Sequence, residues 1–157
     1  MTIAVRRATT ADAELVSSLN ADVQALHAAA FPWLFKPPGP DTFPPAAAEA
    51  LLAKPGHVVF IAELSGKPAG YAYAETIHRA ETPFHYAHAM VYLHHISVRP
   101  ECRRQGVGNT LLEAVRSAGK DQGITLMSAE VWAFNEDARA FFRRHGFSPY
   151  TERLWDR

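Results

Sequence analysis

The residues best suited to chemistry form one short basic segment. Arg103 and Arg104 precede Gly106 and Gly108, and apolar residues at helical spacing begin at Val107. The first turn of a helix exposes unpaired amide groups at the positive end of the helix dipole, so it attracts phosphate. Glycine lets the main chain approach an anion without a Cβ atom in between. The segment therefore predicts a phosphate-binding turn.

The spacing of the glycines narrows the kind of phosphate ligand. In the run Gly106–Leu111 a leucine stands where the dinucleotide-binding fingerprint requires a third glycine or alanine. The sequence also has no Gly-Lys-Ser/Thr, which excludes a P-loop. Taken alone, two glycines favour an ordinary helix start, so the glycine pair by itself does not establish a ligand.

Two motifs together resemble those of the GNAT acetyltransferase superfamily. The run Arg103–Gly108 is similar to its Q/R-x-x-G-x-G/A signature, and Ile96–Glu101 is similar to its fourth strand and the exit from that strand. The segment 135–147 is similar to its N-x-x-A-x-x-F-Y-x-x-x-G-F stretch. The predicted order of elements agrees over nearly the whole chain. The resemblance implies acetyl-CoA as the cofactor and an amine as the acceptor.

The resemblance also implies which residues contact acetyl-CoA. The fourth strand would pair with the pantetheine arm, and the turn after it would hold the pyrophosphate. Asn135 would hydrogen-bond the cofactor arm, although an asparagine there is also an ordinary helix N-cap. The implied cofactor-binding residues are Ile96, Ser97, Val98, Arg103, Arg104, Gln105, Gly106, Val107, Gly108, Asn109, Thr110, Asn135, Ala138, Phe141 and Phe142.

Acetyl transfer to an amine requires a base, because an alkylammonium with a pKa near ~10 has no free lone pair. An imidazole titrates near neutrality and suits this role. Strand alternation predicts His94 on the same face as Tyr92, and His95 on the opposite face. Some superfamily members have acidic or histidine side chains at the positions that correspond to Tyr92 and His94. The resemblance therefore makes His94 and Tyr92 the predicted catalytic residues. A purely structural histidine, or a base that acts through water, is the alternative.

The sequence departs from the superfamily at Phe142, where the second motif often has a tyrosine that protonates the departing thiolate. Phenylalanine can pack against the cofactor but has no proton to donate. The remaining donors are Tyr92, Tyr150 and water. The departure leaves cofactor binding unaffected, because binding depends on backbone geometry. It also supports an alternative function, a catalytically inactive acyl-CoA-binding sensor or scaffold.

These residues need a sheet and helices to position them. The predicted order is β-α-α-β-β-β-α-β-α-β, which gives a mixed α/β, GNAT-like fold with a mostly antiparallel twisted sheet flanked by helices, in a single N-acetyltransferase domain over residues 1–157. The predicted elements are strand Ile3–Arg7, a helix after Thr9, an aromatic proline-stiffened loop Phe31–Pro40, helix Phe43–Ala53, strands Val58–Leu64, Ala69–Ile77 and Met90–Val98, helix Gly106–Lys120, strand Ile124–Trp132, helix Asn135–His145 and strand Phe147–Trp155.

Composition excludes several classes of function. The 157 residues carry 16 basic and 16 acidic side chains without a basic stripe, so no nucleic-acid partner is expected. No apolar segment reaches membrane-spanning length, and Cys102 is the single cysteine, so a cytoplasmic protein without a membrane partner is expected. The spacing of His78, His85 and His88 does not suit a zinc site, so no metal is expected.

The acceptor is the least readable part of the function. The sequence predicts a small-molecule or peptide amine, and it leaves open N- versus O-acetylation, the acyl chain length and a homodimer. The aromatic loop Phe31–Phe35, together with Tyr71, Tyr73 and the segment His78–His88, is predicted to shape the acceptor pocket and to favour a partly apolar or aromatic amine.

Overall fold

The structure is a computed structural model that describes residues 1–157. The strands are β1 Ile3–Arg7, β2 His57–Leu64, β3 Lys67–Arg79, β4 His88–Val98 and β5 Met127–Ala129, and the helices are α1 Ala13–Ala30, α2 Pro45–Leu52, α3 Val107–Asp121 and α4 Glu136–Arg144. Short 3₁₀ turns stand at Thr10–Asp12 and Pro100–Cys102. No helix combines the length and the apolar composition that crossing a membrane would require.

The five strands form one sheet in the order β1-β2-β3-β4-β5. The first four strands pair antiparallel, and β5 pairs parallel to β4. Ser65 and Gly66 make the tight turn between β2 and β3, both at positive φ. The mixed, mostly antiparallel sheet confirms the predicted fold class.

Each face of the sheet is covered by a different pair of helices. On one face, Val16 and Leu19 of α1 pack on Ile61 of β2. On the other face, Leu111 of α3 packs with Leu93 of β4. All five side chains are almost fully buried, and burial of such a side chain contributes roughly 1.5–3 kcal/mol to folding. These two apolar layers hold the middle of the sheet in place.

A β-bulge interrupts β4 at His94. Tyr73 pairs with His95 while the next residue of β3, Ala74, pairs with Leu93, so His94 is the extra residue. The rings of His94 and His95 both lie against Tyr73, at centroid distances of 4.5 Å and 5.4 Å. The prediction that the two histidines point to opposite faces is therefore wrong, because the bulge resets the alternation of the strand.

The predicted last strand, Phe147–Trp155, is also wrong. The amide of Phe147 donates to the carbonyl of Phe142 and thereby closes α4, and no later residue joins the sheet. Pro149 removes one donor that a strand would need. The side chain of Trp155 instead packs on the ring of Phe31, at 5.2 Å. Strand β5 is likewise shorter than its predicted range, because its pairing with β4 ends at Ala129.

Candidate active site

An opening separates β4 from the chain that follows β5. The two strands pair only over Val91–Leu93 and Met127–Ala129, so the rest of β4 has a free edge. The amide of Arg99 donates to Ala69 of β3 at 2.8 Å. Because successive amides of a strand point to opposite edges, the amide of Val98 points into the opening. This free edge is where the predicted pantetheine contacts Ile96, Ser97 and Val98 lie.

The first turn of α3 lies at one end of this edge. Gly106, the N-cap, has a φ of +89°, and no side chain caps the helix. The first backbone hydrogen bond of the turn runs from the amide of Thr110 to the carbonyl of Gly106, at 3.0 Å. The amides of residues 107–109 therefore have no partner within the chain. The turn has the features of an anion site that the sequence predicted.

Two arginines border this turn. Arg103 is exposed, and its Nε donates to the carbonyl of Val98 at 3.2 Å, which fixes the guanidinium beside the end of β4. Arg104 is exposed and has a φ of +59°, a conformation that non-glycine residues adopt rarely. Both arginines lie within six positions of the unpaired amides along the chain, so they add positive charge to this segment.

The polar side chains of the turn behave differently, because each is engaged inside the protein. Their hydrogen bonds are Gln105 Nε2 to the carbonyl of Glu101 at 3.2 Å, Thr110 Oγ1 to the carbonyl of Gly106 at 2.9 Å, and Asn109 Oδ1 with His145 Nε2 at 3.0 Å. Val107 is buried, so only its amide faces outward. The main chain and the two arginines are therefore the groups that a ligand can reach.

Gly108 has a packing role that the sequence did not reveal. A Cβ atom on this residue would lie 3.1 Å from Cε2 of Phe141 and 3.7 Å from Cγ2 of Val98. The missing side chain lets α3 and α4 approach each other. We expected the glycine to clear space for an anion, and the space is instead occupied by an aromatic ring.

Helix α4 follows β5 in the chain and is capped at its N-terminus by Asn135. Oδ1 of Asn135 accepts from the amide of Ala138 at 3.1 Å, which confirms the N-cap and leaves the Nδ2 group free. Ala138 and Phe141 are half-buried. Phe142 is buried among Phe141 and Phe147, so its ring has little surface left for a cofactor.

The predicted base, His94, has a carboxylate partner on the neighbouring strand. Its Nε2 lies 2.7 Å from Oε2 of Glu75, and the other oxygen of that carboxylate lies 3.6 Å from Nε2 of His57. His57 and Glu75 face each other directly across β2 and β3. Adjacent strands thus place one carboxylate between two imidazoles.

Tyrosines surround this group. The ring of Tyr73 stacks on His94, and its hydroxyl lies 2.7 Å from Nδ1 of His57. Burial, followed by the charge of Glu75, raises the pKa of Tyr73 to about 12. The ring of Tyr92 stands 4.7 Å from His94, and burial raises its pKa as well. Both phenols are therefore protonated at neutral pH.

The charge of Glu75 determines which nitrogen of His94 can act as a base. The hydrogen bond with His94, the largest cause, lowers the pKa of Glu75, so this residue is a carboxylate at neutral pH. A carboxylate only accepts, so the proton of a neutral His94 is on Nε2. Nδ1 is left with its lone pair. The pair can therefore hold an imidazole ready to take up a proton.

A second chain of hydrogen bonds fixes His95. Nδ2 of Asn20 donates to the hydroxyl of Tyr71 at 2.9 Å, and the same hydroxyl lies at hydrogen-bonding distance, 2.9 Å, from Nδ1 of His95. Burial, more than the nearby charges of His94 and His27, lowers the pKa of His95 to about 4. His95 is thus neutral. Because Tyr71 is fully buried, it supports His95 and does not line a pocket, contrary to expectation.

Sequence reasoning missed Glu75 and His57. A signal for Glu75 was present, since it stands two positions after Tyr73 on the same strand and therefore on the same face. His57 gave no signal of its own, because it is the first residue of β2 and only the register brings it to Glu75. No group of three or more His, Cys, Asp or Glu side chains is arranged so that it could hold a metal ion.

The chain is similar to known proteins both in sequence and in fold. The sequence model of the acetyltransferase (GNAT) family matches residues 20–147. No curated protein matches the sequence. A mutant of the BH1408 protein from Bacillus halodurans has 22% identity and a TM-score of 0.92, over 98% of both chains. The aminoglycoside N-acetyltransferase AAC(6')-Iy, crystallised with CoA, has 22% identity and a TM-score of 0.75, over 99% of this chain and 94% of its own.

The same aminoglycoside N-acetyltransferase, in complex with the bisubstrate analogue CoA-S-monomethyl-acetylneamine, gives a TM-score of 0.74 at 22% identity, over 100% of this chain and 98% of its own. At this level of identity the solved structures show a shared fold. The family match covers most of the chain, including β4, the turn before α3 and α4. Sequence and fold thus confirm the resemblance, and the chain belongs to the GNAT family of acetyltransferases.

Proposed function

We propose that the chain transfers an acetyl group from acetyl-CoA to the amine of a small molecule or peptide. The observation that carries this proposal is the opening beside β4, which runs from the unpaired amides of α3 to the pair formed by His94 and Glu75. One end suits a diphosphate and the other end suits an amine that must lose a proton. A family relative crystallised with CoA supports the same cofactor.

The residues on the opening fit acetyl-CoA. The free edge of Ile96–Val98 offers main-chain groups to the amides of a pantetheine arm, as an added strand would. The first turn of α3, with Arg103 and Arg104, offers donors and positive charge to a pyrophosphate. Asn135, whose Oδ1 caps α4, has a free Nδ2 that is the proposed further donor to the cofactor arm. When bound, acetyl-CoA supplies an electrophilic thioester carbonyl.

His94 is the proposed general base. Nδ1 takes the proton from the acceptor ammonium, directly or through one water, while Glu75 holds Nε2 and stabilises the charged imidazole. The amide of Val98, which points into the opening, donates a hydrogen bond where negative charge develops on the carbonyl oxygen. His94 thus activates the nucleophile, and the main chain of β4 stabilises the charge.

Tyr92 is the proposed general acid. Its phenol is protonated at neutral pH and stands beside His94. Phe142 has no proton to give and lies in the core. Tyr150 is 77% exposed, which leaves it poorly held for proton transfer. Tyr92 therefore remains as the side chain that can protonate the thiolate.

A direct assay tests the proposal. Purified protein is mixed with acetyl-CoA and a panel of alkylamines, diamines, amino acids and peptides, and thiol release is measured together with the mass of the product. We expect acetylated amine and free CoA in equal amounts. Calorimetry with CoA is the second measurement. Binding of CoA without turnover of any amine would support an acyl-CoA-binding sensor instead, and absence of CoA binding would refute both functions.

A further inference from the structure

We propose that the rings of Phe31, Trp33 and Trp155, here named the aromatic cage, bind an organic cation carried by the acceptor. This inference rests on the proposed acetyl transfer and names its substrate class. The acceptor is an amine that carries a second positively charged group. In the free protein the guanidinium of Arg157 occupies the cage.

The cage is built from two distant parts of the chain. Phe31 and Trp33 belong to the loop after α1, and Trp155 belongs to the segment after α4. The ring of Phe31 lies 5.2 Å from that of Trp155 and 6.5 Å from that of Trp33, and the two indoles are 5.7 Å apart. Yet Trp33 is 58% exposed and Trp155 is 50% exposed. Large ring faces left in contact with water are typical of binding sites.

Arg157 shows which chemistry these faces accept. Its guanidinium carbon lies 5.0 Å from the ring centre of Trp33, 5.6 Å from that of Trp155 and 5.9 Å from that of Phe31. A cation within about 6 Å of a ring face is attracted by the ring quadrupole. Arg157 forms no salt bridge, so the rings are its partners. Three rings around one cation form a site for guanidinium or alkylammonium groups.

The cage is connected to the proposed acceptor end of the opening. Trp132, three positions after the last paired residue of β5, contacts both Phe31 and Trp155, at 5.6 Å and 5.7 Å. Its ring also lies 6.5 Å from that of His27 on α1, whose charge helps to lower the pKa of His95. Aromatic contacts thus lead from the cage to His27, and the charge of His27 is felt at His95, the residue beside His94.

The resulting substrate has two cationic ends with different fates. One amine reaches His94 and loses its proton, and the other group keeps its charge and lies on the rings. A guanidinium is the best match, because it is planar, stacks on indole rings and is always charged. Ring faces attract cations and repel anions, so an acceptor with a carboxylate at the distal end would bind poorly.

The tryptophans of the chain make the test selective. The sequence has three tryptophans, Trp33, Trp132 and Trp155, and all of them lie in the cage or against it. Intrinsic fluorescence therefore reports on this site alone. The probe is agmatine, which has a primary amine and a guanidinium. Its matched control is 4-ureidobutylamine, in which an uncharged urea replaces the guanidinium at nearly the same size.

We expect saturable quenching by agmatine and an at least about tenfold weaker effect of the urea compound. Arg157→Gln removes the internal competitor and should tighten agmatine binding about tenfold, whereas Arg157→Lys keeps a cation and should stay within about twofold of wild type. Trp33→Leu should weaken agmatine binding, and Leu34→Ala, an exposed neighbour outside the cage, should not.

Three outcomes would overturn the proposal: no saturable change with agmatine, equal affinity for the two probes, or an Arg157→Gln variant that binds agmatine no more tightly than wild type. The titration needs no acetyl-CoA, so its result is independent of transfer. A chain that binds agmatine but acetylates no amine would refute the proposed function and retain the cage. Acetylation of agmatine and of the urea compound with equal KM would instead support the proposed function and refute the cage.

Discussion

The two ends of the opening beside β4 are built by different means. The proposed cofactor end consists of main-chain amides from one continuous segment, residues 96–110, which includes Arg103 and Arg104. The proposed acceptor end consists of side chains from three strands, and its central pair, Glu75 and His94, is 19 positions apart in sequence. A site made by local backbone geometry tolerates many side chains. A site made by side chains across strands depends on every register that brings them together.

The sharpest test of the cofactor end is the substitution Gly106→Val. A β-branched residue at a φ of +89° is strained, and its Cβ would lie 3.4 Å from Cδ1 of Ile3, so relief of the strain would displace the amides of the first turn of α3. We expect the affinity for CoA to fall about 1000-fold, as measured by calorimetry. Gly66→Val, at a φ of +80° in the β2–β3 turn, is the matched control for strain and should keep its affinity. Normal CoA binding by Gly106→Val would place the pyrophosphate elsewhere.

The main test of the acceptor end is the substitution His94→Ala. The substitution removes the proposed general base, so kcat should fall about 500-fold and the acidic limb of the pH–rate profile should flatten. The affinity for CoA should stay close to that of wild type, because the substitution leaves the cofactor end unchanged. His78→Ala, an exposed histidine on β3, serves as the control. An unaltered pH profile would remove His94 from the mechanism.

The acceptor end should also make the stability of the protein depend on pH, through His95. His95 has a pKa of about 4 when folded and about 6.5 when unfolded, so the unfolded chain binds the extra proton between these values. Its contribution to stability is complete above pH 6.5 and is lost as the pH falls towards 4. We expect the free energy of unfolding to drop by about 3 kcal/mol over this window, measured by urea denaturation.

The control for this pH dependence is Asp12, which lies in the 3₁₀ turn before α1 and belongs to neither end of the opening. Arg6 holds the pKa of Asp12 at about 2, so its stabilisation is present above its unfolded value near 4 and is lost only below that pH. Asp12→Asn should leave the window between pH 4 and 6.5 unchanged. His95→Phe should flatten it, and the same slope in that variant would show that another group titrates.

Glu75→Gln tests whether the acceptor end acts as a pair. Glutamine keeps the hydrogen bond but removes the charge that stabilises a protonated His94, so kcat should fall about tenfold with little change in KM for CoA. Glu63→Gln, a partly buried carboxylate on β2 near Arg6, is the control. If Glu75→Gln were as active as wild type, His94 would act without its carboxylate.

The smallest effect is expected for Phe142→Tyr, which restores the residue common in the family. Because Phe142 is buried among Phe141 and Phe147, a hydroxyl there would lack a partner and would cost about 1–3 kcal/mol of stability. The rate should stay within about twofold of wild type. A clear gain in kcat would instead show that this position reaches the thiolate.

The comparison also explains what could be predicted from the sequence. The turn around Gly106 and the N-cap Asn135 are local features, so their residue types alone were sufficient. The acceptor end needed the bulge at His94 and the register between His57 and Glu75, and both arise from the pairing of separate strands. Alternation along one strand therefore gave His95 the wrong face and left Glu75 unnoticed.

The prediction of a strand after α4 was wrong for a related reason. Its apolar residues suggested a strand, but a strand needs a partner, and only three residues of β5 pair with β4. Its aromatic residues found other rings instead, as the contact between Trp155 and Phe31 shows. Composition indicated that the segment would be buried in part, and it could not indicate what would bury it.

The shortness of β5 has a kinetic consequence. Since the ladder ends at Ala129, no hydrogen bonds between strands have to break before a cofactor reaches the edge of β4. If the cofactor binds as proposed, its entry is an encounter with a preformed groove, and the rate of entry is governed by diffusion and by the attraction of Arg103 and Arg104 for the incoming phosphates. Higher ionic strength would slow arrival far more than departure.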